Sequence, residues 1–267
     1  MSDRNLILTA DNLSIVFGGL CAVSGFSCEL RAGELVGLIG PNGAGKTTLF
    51  NMLSGIYSPT SGSITFWDKS GNKNVLGKKS PAYLNWIGIA RTFQNIRLFG
   101  NLSVLDNVRI ALHAKRSVTP FDVLFRLPRF AKDEKRMIEK SLELLTLFKI
   151  ESKRDDLAKN LPYGEQRKLE IARALACGPS LLLLDEPAAG MNPQETVDLM
   201  NLITAVREKF DLTILLIEHD MHLVMGICER IMVLDYGRLI AKGLPCEIKS
   251  NPQVIKAYLG SDAEVDL

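Results

Sequence analysis

The sequence predicts an α/β protein, with a core of mostly parallel strands flanked by helices, an antiparallel β subdomain and an inserted helical subdomain. Three observations predict it. Four near-continuous apolar runs, "ELVGLIG" (34–40), "SLLLLDE" (180–186), "TILLIEHD" (213–220) and "RIMVLDYG" (230–237), each lie near a helical pattern. That is the pattern of parallel strands covered on both faces. Shorter β-rich runs near the front, "LSIVF" (13–17), "FSCEL" (26–30) and "SITFW" (63–67), read as antiparallel strands. The stretch from about 95 to 178 has little strand character and three helical patterns: "NLSVLDNVRIALH", "DEKRMIEKSLELLTLF" and the run that follows Gly164.

Taken in order, residues 1–94 hold the antiparallel subdomain and the first half of the core, and 95–178 the helical insert. Residues 179–244 complete the core, and 245–267 form C-terminal helices and an acidic tail, all within one domain. The stretch 114–132, with Pro120 and Pro128, reads as a loop, and the tail after Gly260 as frayed.

Composition narrows the function. A chain of 267 residues with 46% hydrophobic residues can bury one large core. A net charge of +2 implies no strongly basic surface, which argues against nucleic acid as a partner. The cysteines at 21, 28, 177, 228 and 246 are odd in number and scattered. They read as buried thiols in a reducing compartment, not as a disulfide framework or zinc site. The start, "MSDRNLILTADNLSIVFGG", is a poor signal peptide. The longest apolar runs, "LLLL" (181–184) and "TILLI" (213–217), fall well short of the roughly 20 residues of a membrane span. A cytoplasmic protein is expected, with any membrane role reached through a partner.

The chemistry starts at "GPNGAGKTTLF" (40–50), which fits G-x-x-x-x-G-K-[ST] at Gly40, Gly45, Lys46 and Thr47. A strand leads in and a helical run, 47–53, leads out, as a phosphate loop requires. Its glycines let backbone N–H groups wrap phosphates. Lys46 would reach the β- and γ-phosphates, and the Thr47 hydroxyl would bind Mg²⁺. Asn42, Gly43 and Thr48 belong to the same loop. "LLLLDEP" (181–187) then ends an apolar strand in two acids. Asp185 suits the metal, and Glu186 could polarise a water for attack on the γ-phosphate. Gln94, in "RTFQ", could reach Mg²⁺ and that water. His219, in "LLIEHDMH", suits a polar contact to the γ-phosphate better than a metal pair with His222. In "LPYGEQRKLEIARAL" (161–175), Pro162, Tyr163 and Gly164 precede a helical run. That reads either as a loop that happens to end there or as an anion-binding helix N-terminus, and the local sequence does not choose between them.

Phosphate loop, Gln, glycine turn before a helix, strand–Asp–Glu, then His: this order resembles the nucleotide-binding subunit of ABC transporters along nearly the whole chain. The resemblance implies an ATPase that uses ATP and Mg²⁺ and pairs head to tail with a second ATPase subunit. Each phosphate loop then faces the other subunit's signature turn. It implies integral-membrane permease subunits as partners, and a place on the inner face of the cell membrane. "LPYGEQ" occupies the signature position, usually Leu-Ser-Gly-Gly-Gln. Pro162 therefore replaces a serine whose hydroxyl would touch the γ-phosphate, and Tyr163 replaces a glycine. Phe17 falls where the family stacks an aromatic on adenine, though its apolar neighbours suit a core Phe equally. Asn192, in "AAGMNP", stands where the family usually has Asp.

Within the family, "RTFQNIRLF" (91–99), "LDEPAAGMNP" (184–193), "IEHDMHLVM" (217–225) and "VIKAYLG" (254–260) look like the ATPase of branched-chain amino acid importers. That resemblance implies a heteromeric ATPase pair and, indirectly, a solute-binding protein. The "EPAAG"-like loop and "YLG" ending are also similar to the ATPase of lipopolysaccharide export. A soluble, non-transport ABC ATPase is the alternative of a different class.

Overall fold

The computed structural model describes residues 5–113 and 128–259, which fall into two units, residues 1–91 with 180–267, and residues 92–179. In the first unit run β1 (Leu6–Phe17), β2 (Leu20–Arg31), β3 (Leu35–Ile39), β4 (Ser61–Trp67), β5 (Lys73–Val75), β6 (Ile89–Arg91), β7 (Leu181–Asp185), β8 (Thr213–Ile217), β9 (Arg230–Asp235) and β10 (Arg238–Gly243). They form two sheets. One is antiparallel, in the order β2-β1-β4-β5; the other runs β10-β9-β3-β8-β7-β6 and is parallel except at β10.

Every residue of β3, β7 and β8 is buried, as expected of parallel strands covered on both faces. The apolar runs of the sequence are these strands. β10 was not expected. It pairs antiparallel with β9 at the sheet edge, and its residues are only partly covered. The core cluster joins both sheets through Leu38, Leu49, Phe50, Phe66 and Leu183.

Helices α1 (Lys46–Leu53), α2 (Pro81–Ile87), α6 (Pro193–Phe210), α7 (Met221–Ile227), α8 (Pro245–Lys249) and α9 (Pro252–Leu259) belong to the same unit. Helices α3 (Val104–His113), α4 (Pro128–Leu147) and α5 (Tyr163–Ala176) make up most of the second unit, and α3 packs on both of the others. Pro128 opens α4, so residues 128–132 are helical and not loop. Proline suits a first helical position, where its missing N–H has no partner to lose. The remainder of the expected loop, 114–127, and the tail after Leu259 lie outside the described residues.

All five cysteines are free, but only Cys28, Cys177 and Cys228 are buried. Cys21 and Cys246 are exposed, which corrects the reading of all five as buried thiols. Cys21 lies at the start of β2, beside the mouth of a cavity, and Cys246 lies on the short α8. Burial pushes the Cys28 and Cys228 thiols up to about 12. Among the described residues no helix is long and apolar enough to cross a membrane.

Candidate nucleotide site

The phosphate loop links β3 to α1 and bends through Gly40 (φ 151°), Gly43 (φ 80°) and Gly45 (φ 98°). A Cβ at Gly45 would stand 2.5 Å from the Ala22 carbonyl oxygen, and one at Gly40 would collide with the Leu234 carbonyl. β2 and β9 thus crowd the loop from two directions, and only glycine fits. The hairpin turn after β9 adds a tie, since the Gly237 N–H donates to the Ala44 carbonyl at 2.9 Å.

Lys46, the first residue of α1, is buried. Its Nζ donates to the carbonyls of Gly40 (2.7 Å) and Pro41 (2.8 Å). Two of its three ammonium donors therefore rest on the loop itself. Burial lowers its pKa, and the nearby carboxylates of Glu186 and Asp185 oppose that shift. The loop opens into a cavity of about 420 Å³ lined by Asn42, Gly43, Gly45, Lys46, Thr47 and Thr48. Glu186 and His219 line it too, as do Leu20, Cys21, Ala22 and Tyr236. A backbone cradle that a Cβ would fill, a buried ammonium and two hydroxyls fit a polyphosphate carrying a divalent cation.

β7 delivers the two acids. Asp185 is buried, and its Oδ2 accepts a hydrogen bond from Arg91 Nη2 at 2.7 Å. Arg91 Nη1 donates to Asn51 Oδ1 and Ser54 Oγ, both at 2.7 Å, tying the end of β6 to α1 and its C-cap. Sequence reasoning missed this arginine. Its only signal was a cation at the end of the β-like run "IGIAR". Glu186 follows with a left-handed backbone, φ 47°, and its N–H donates to the Ile217 carbonyl at 2.9 Å. Its Oε1 lies 2.9 Å from His219 Nε2. β7 and β8 are parallel neighbours, so both residues leave the same sheet end. The carboxylate of Glu218, buried at the end of β8, was also missed; it accepts from the N–H of Ala188 (2.7 Å) and of His219 (3.1 Å).

The other expected site residues have their own surroundings. Phe17 is half exposed at the end of β1, edge-on to Tyr57 with ring centroids 5.2 Å apart, and is not among the residues lining the cavity. Asn192 caps α6: its side chain accepts from the Glu195 N–H at 2.9 Å, and Glu195 returns the bond at 3.0 Å. In the second unit, Gln94 lies on an exposed loop. The loop's backbone is held by the buried Arg167, which donates to the carbonyls of Phe93 (2.6 Å) and Gln94 (2.7 Å) and pairs with Glu170 at 2.8 Å. Arg167 also reaches the Tyr163 hydroxyl at 3.3 Å. Pro162 is the N-cap of α5 and provides no side-chain cap. The Glu165 and Gln166 N–H groups bond back to its carbonyl, and Tyr163 and Gly164 form the helix's first two positions.

A phosphate loop leading into a helix, a strand ending in Asp-Glu and a histidine facing that Glu define an ATP-binding cassette. The chain belongs to the ABC transporter family, whose model matches residues 23–189. A second model, described as branched-chain amino acid ATP-binding cassette transporter, matches residues 238–264.

The chain is 44% identical over 254 residues to the high-affinity branched-chain amino acid transport ATP-binding protein LivG of Salmonella typhimurium, covering 95% of this chain and 98% of that protein. It is 43% identical, with the same coverage, to the corresponding protein BraF of Pseudomonas aeruginosa. It is 36% identical over 255 residues to the lipopolysaccharide export system ATP-binding protein LptB of Escherichia coli, covering 96% and 98% of the two chains. Among solved structures it is similar to the ADP conformation of an ATP-binding cassette of an ABC transporter. That likeness has a TM-score of 0.81 and 32% identity, over 96% of this chain and 99% of the other.

Proposed function

We propose that this chain is the ATP-hydrolysing subunit of a branched-chain amino acid importer. It works on the cytoplasmic face of the membrane, with a second, related ATPase subunit, permease subunits and, indirectly, a solute-binding protein. One observation carries the reading: phosphate loop, Glu186 and His219 face a single cavity, in a chain that resembles LivG along 95% of its length. Lipopolysaccharide export is the second reading, supported by the lower identity to LptB of 36%.

Backbone N–H groups of the loop and Lys46 bind the phosphates of ATP, and Phe17 offers its exposed ring to the adenine. Thr47, Asp185 and Gln94 would hold Mg²⁺, which would neutralise charge on the phosphates. Glu186 accepts a proton from the water whose oxygen attacks the γ-phosphorus. The bond to the β–γ bridging oxygen breaks, and ADP leaves with the electron pair. His219 donates a hydrogen bond to the γ-phosphate. The N–H groups of Tyr163 and Gly164, at the helix start that Pro162 opens, close the opposing subunit's site.

Lys46→Ala is expected to lose ATP binding. Glu186→Gln is expected to bind ATP and hydrolyse it roughly 10²–10⁴-fold more slowly, the range for a lost general base. Turnover by Glu186→Gln at the wild-type rate would remove that residue from the reaction. In cells lacking the chain, wild-type protein but not Glu186→Gln restores uptake of labelled leucine. Unimpaired leucine uptake with failed lipopolysaccharide export favours the second reading.

A further inference from the structure

We propose that Glu218 is a positioning residue that braces Glu186 and His219 as one unit, and that the "EPAAG" and "IEHD" segments are the two halves of that brace. The inference rests on the ATPase reading given above and deepens it.

The bonds form a closed ring. Glu186 Oε1 meets His219 Nε2 at 2.9 Å. From His219 the chain passes back one residue to Glu218, whose Oε2 accepts the His219 N–H at 3.1 Å. The other oxygen, Oε1, accepts the N–H of Ala188 at 2.7 Å, two residues past Glu186. The Ala189 N–H closes a turn onto the Glu186 carbonyl at 3.2 Å. Beyond the bond from the Glu186 N–H to the Ile217 carbonyl, the loop after β7 is therefore held to the loop after β8 at two points, one through the functional side chains and one through Glu218.

The ring spans a backbone that needs holding. Glu186 is in the left-handed region, φ 47°, where a residue with a Cβ is strained and persists only if its surroundings fix it. Ala188 and Glu218 are both buried, at 8% and 4% exposure, so these bonds are shielded from water. A small residue at 188 sits where the carboxylate approaches its backbone. Burial also raises the Glu218 carboxyl above its ordinary value, and the nearby Glu186 adds to that. A buried acid beside a second acid is costly unless its bonds repay it, and here they repay it by fixing the turn. Glu218 touches neither nucleotide nor water in this scheme; it acts through Glu186 and His219.

The test uses the full chain with Glu218→Gln, Glu186→Gln and the double variant. Glu218→Gln keeps one acceptor but turns an N–H donor toward one of the two backbone N–H groups. ATP affinity is expected to stay within about twofold, because the phosphate loop is untouched, and kcat to fall by roughly ten- to a hundredfold, as for a reacting group displaced by about an ångström. The double variant is expected to lose far less than the product of the two single losses, since Glu186 is one of the two groups that Glu218 holds. A purely structural role would instead lower affinity and kcat together and would add to the Glu186→Gln loss; either result overturns the brace. Wild-type kcat in Glu218→Gln also overturns it. If Glu186→Gln itself turns over normally, the ATPase reading of that residue fails and the brace fails with it. Where Glu218→Gln melts below the assay temperature, Glu218→Asp replaces it; this shorter carboxylate reaches one N–H at a time. It is expected to lose kcat with affinity kept, and an unchanged kcat overturns the brace.

Discussion

Replacing Arg91 with alanine deletes a guanidinium that makes three hydrogen bonds of 2.7 Å, to Asp185, Asn51 and Ser54. The Arg91 and Asp185 side chains are only 6% and 5% exposed. Solvent screening therefore does little, and the carboxylate stays buried after its cation has gone. Breaking a buried pair from one side costs about 3–5 kcal/mol. For a chain of this size each kcal/mol moves the melting temperature by about 2–4 °C, so Arg91→Ala is expected to melt about 6–20 °C lower. Scanning calorimetry of wild type, Arg91→Ala, Asp185→Asn and the double variant measures this. The two single losses should overlap, because each removes the same contact. Arg91→Lys keeps a charge but not the planar fork that spans β6, α1 and β7, and should fall between. A drop of under about 2 °C in Arg91→Ala, or strictly additive losses, would refute the pair as a stabilising tie.

Phe99, on the second unit, is 49% exposed and lies 5.6 Å beneath the Arg173 guanidinium. If it contacts a permease, Phe99→Ala keeps the hydrolysis rate of the isolated chain and cuts transport in the assembled complex; equal losses in both assays would mean a folding defect. Gly164→Asp places an acid in the first turn of α5, which suits the helix but repels a phosphate. It should leave ATP affinity of the single chain intact and abolish hydrolysis, and a wild-type rate would show that the turn binds no phosphate. Pro162→Ser should tighten the ATP-bound pair, because a charge-assisted bond is worth about 1.5–3 kcal/mol against about 0.4–1 for lost proline stiffness; sedimentation with ATP reads this, and weaker pairing refutes it. Glu218 has a carboxyl raised above 4.5 by burial. Its folded value exceeds the unfolded one, so the stability it gives is present below the unfolded value and lost as pH rises through the folded one. The melting temperature of Glu218→Gln should therefore gain on wild type between acid and neutral pH; a constant gap would refute the raised value.

Some of this was legible in the residues. β3, β7, β8 and β9 stood out because central parallel strands are apolar on both faces, and the phosphate loop because glycine is forced at fixed spacings. β10 did not, because an edge strand mixes exposed and covered positions, and "RLIAKG" reads like a loop. Pro128 looked like a breaker, though proline also opens helices. Arg91 and Glu218 escaped for a different reason. Their partners lie 94 and 30 positions away, at Asp185 and Ala188, and no local pattern reports a contact across strands. Asn192 looked like a departure from an acidic position, yet its side chain serves as a helix cap.

Strand order also has a consequence for how the chain is made. The antiparallel sheet uses only residues 6–75, so all its pairings are available once that segment has left the ribosome. β3 is different: it is flanked on both sides by β8 and β9, at residues 213–235. At ordinary translation speeds those neighbours arrive on the order of 10–40 s after β3 emerges. For that interval a fully apolar strand and the phosphate loop it carries are without their partners in the sheet. The nucleotide site is therefore a late product of synthesis, and a nascent chain stalled before residue 213 presents to chaperones a formed front sheet joined to an unpaired "LVGLI".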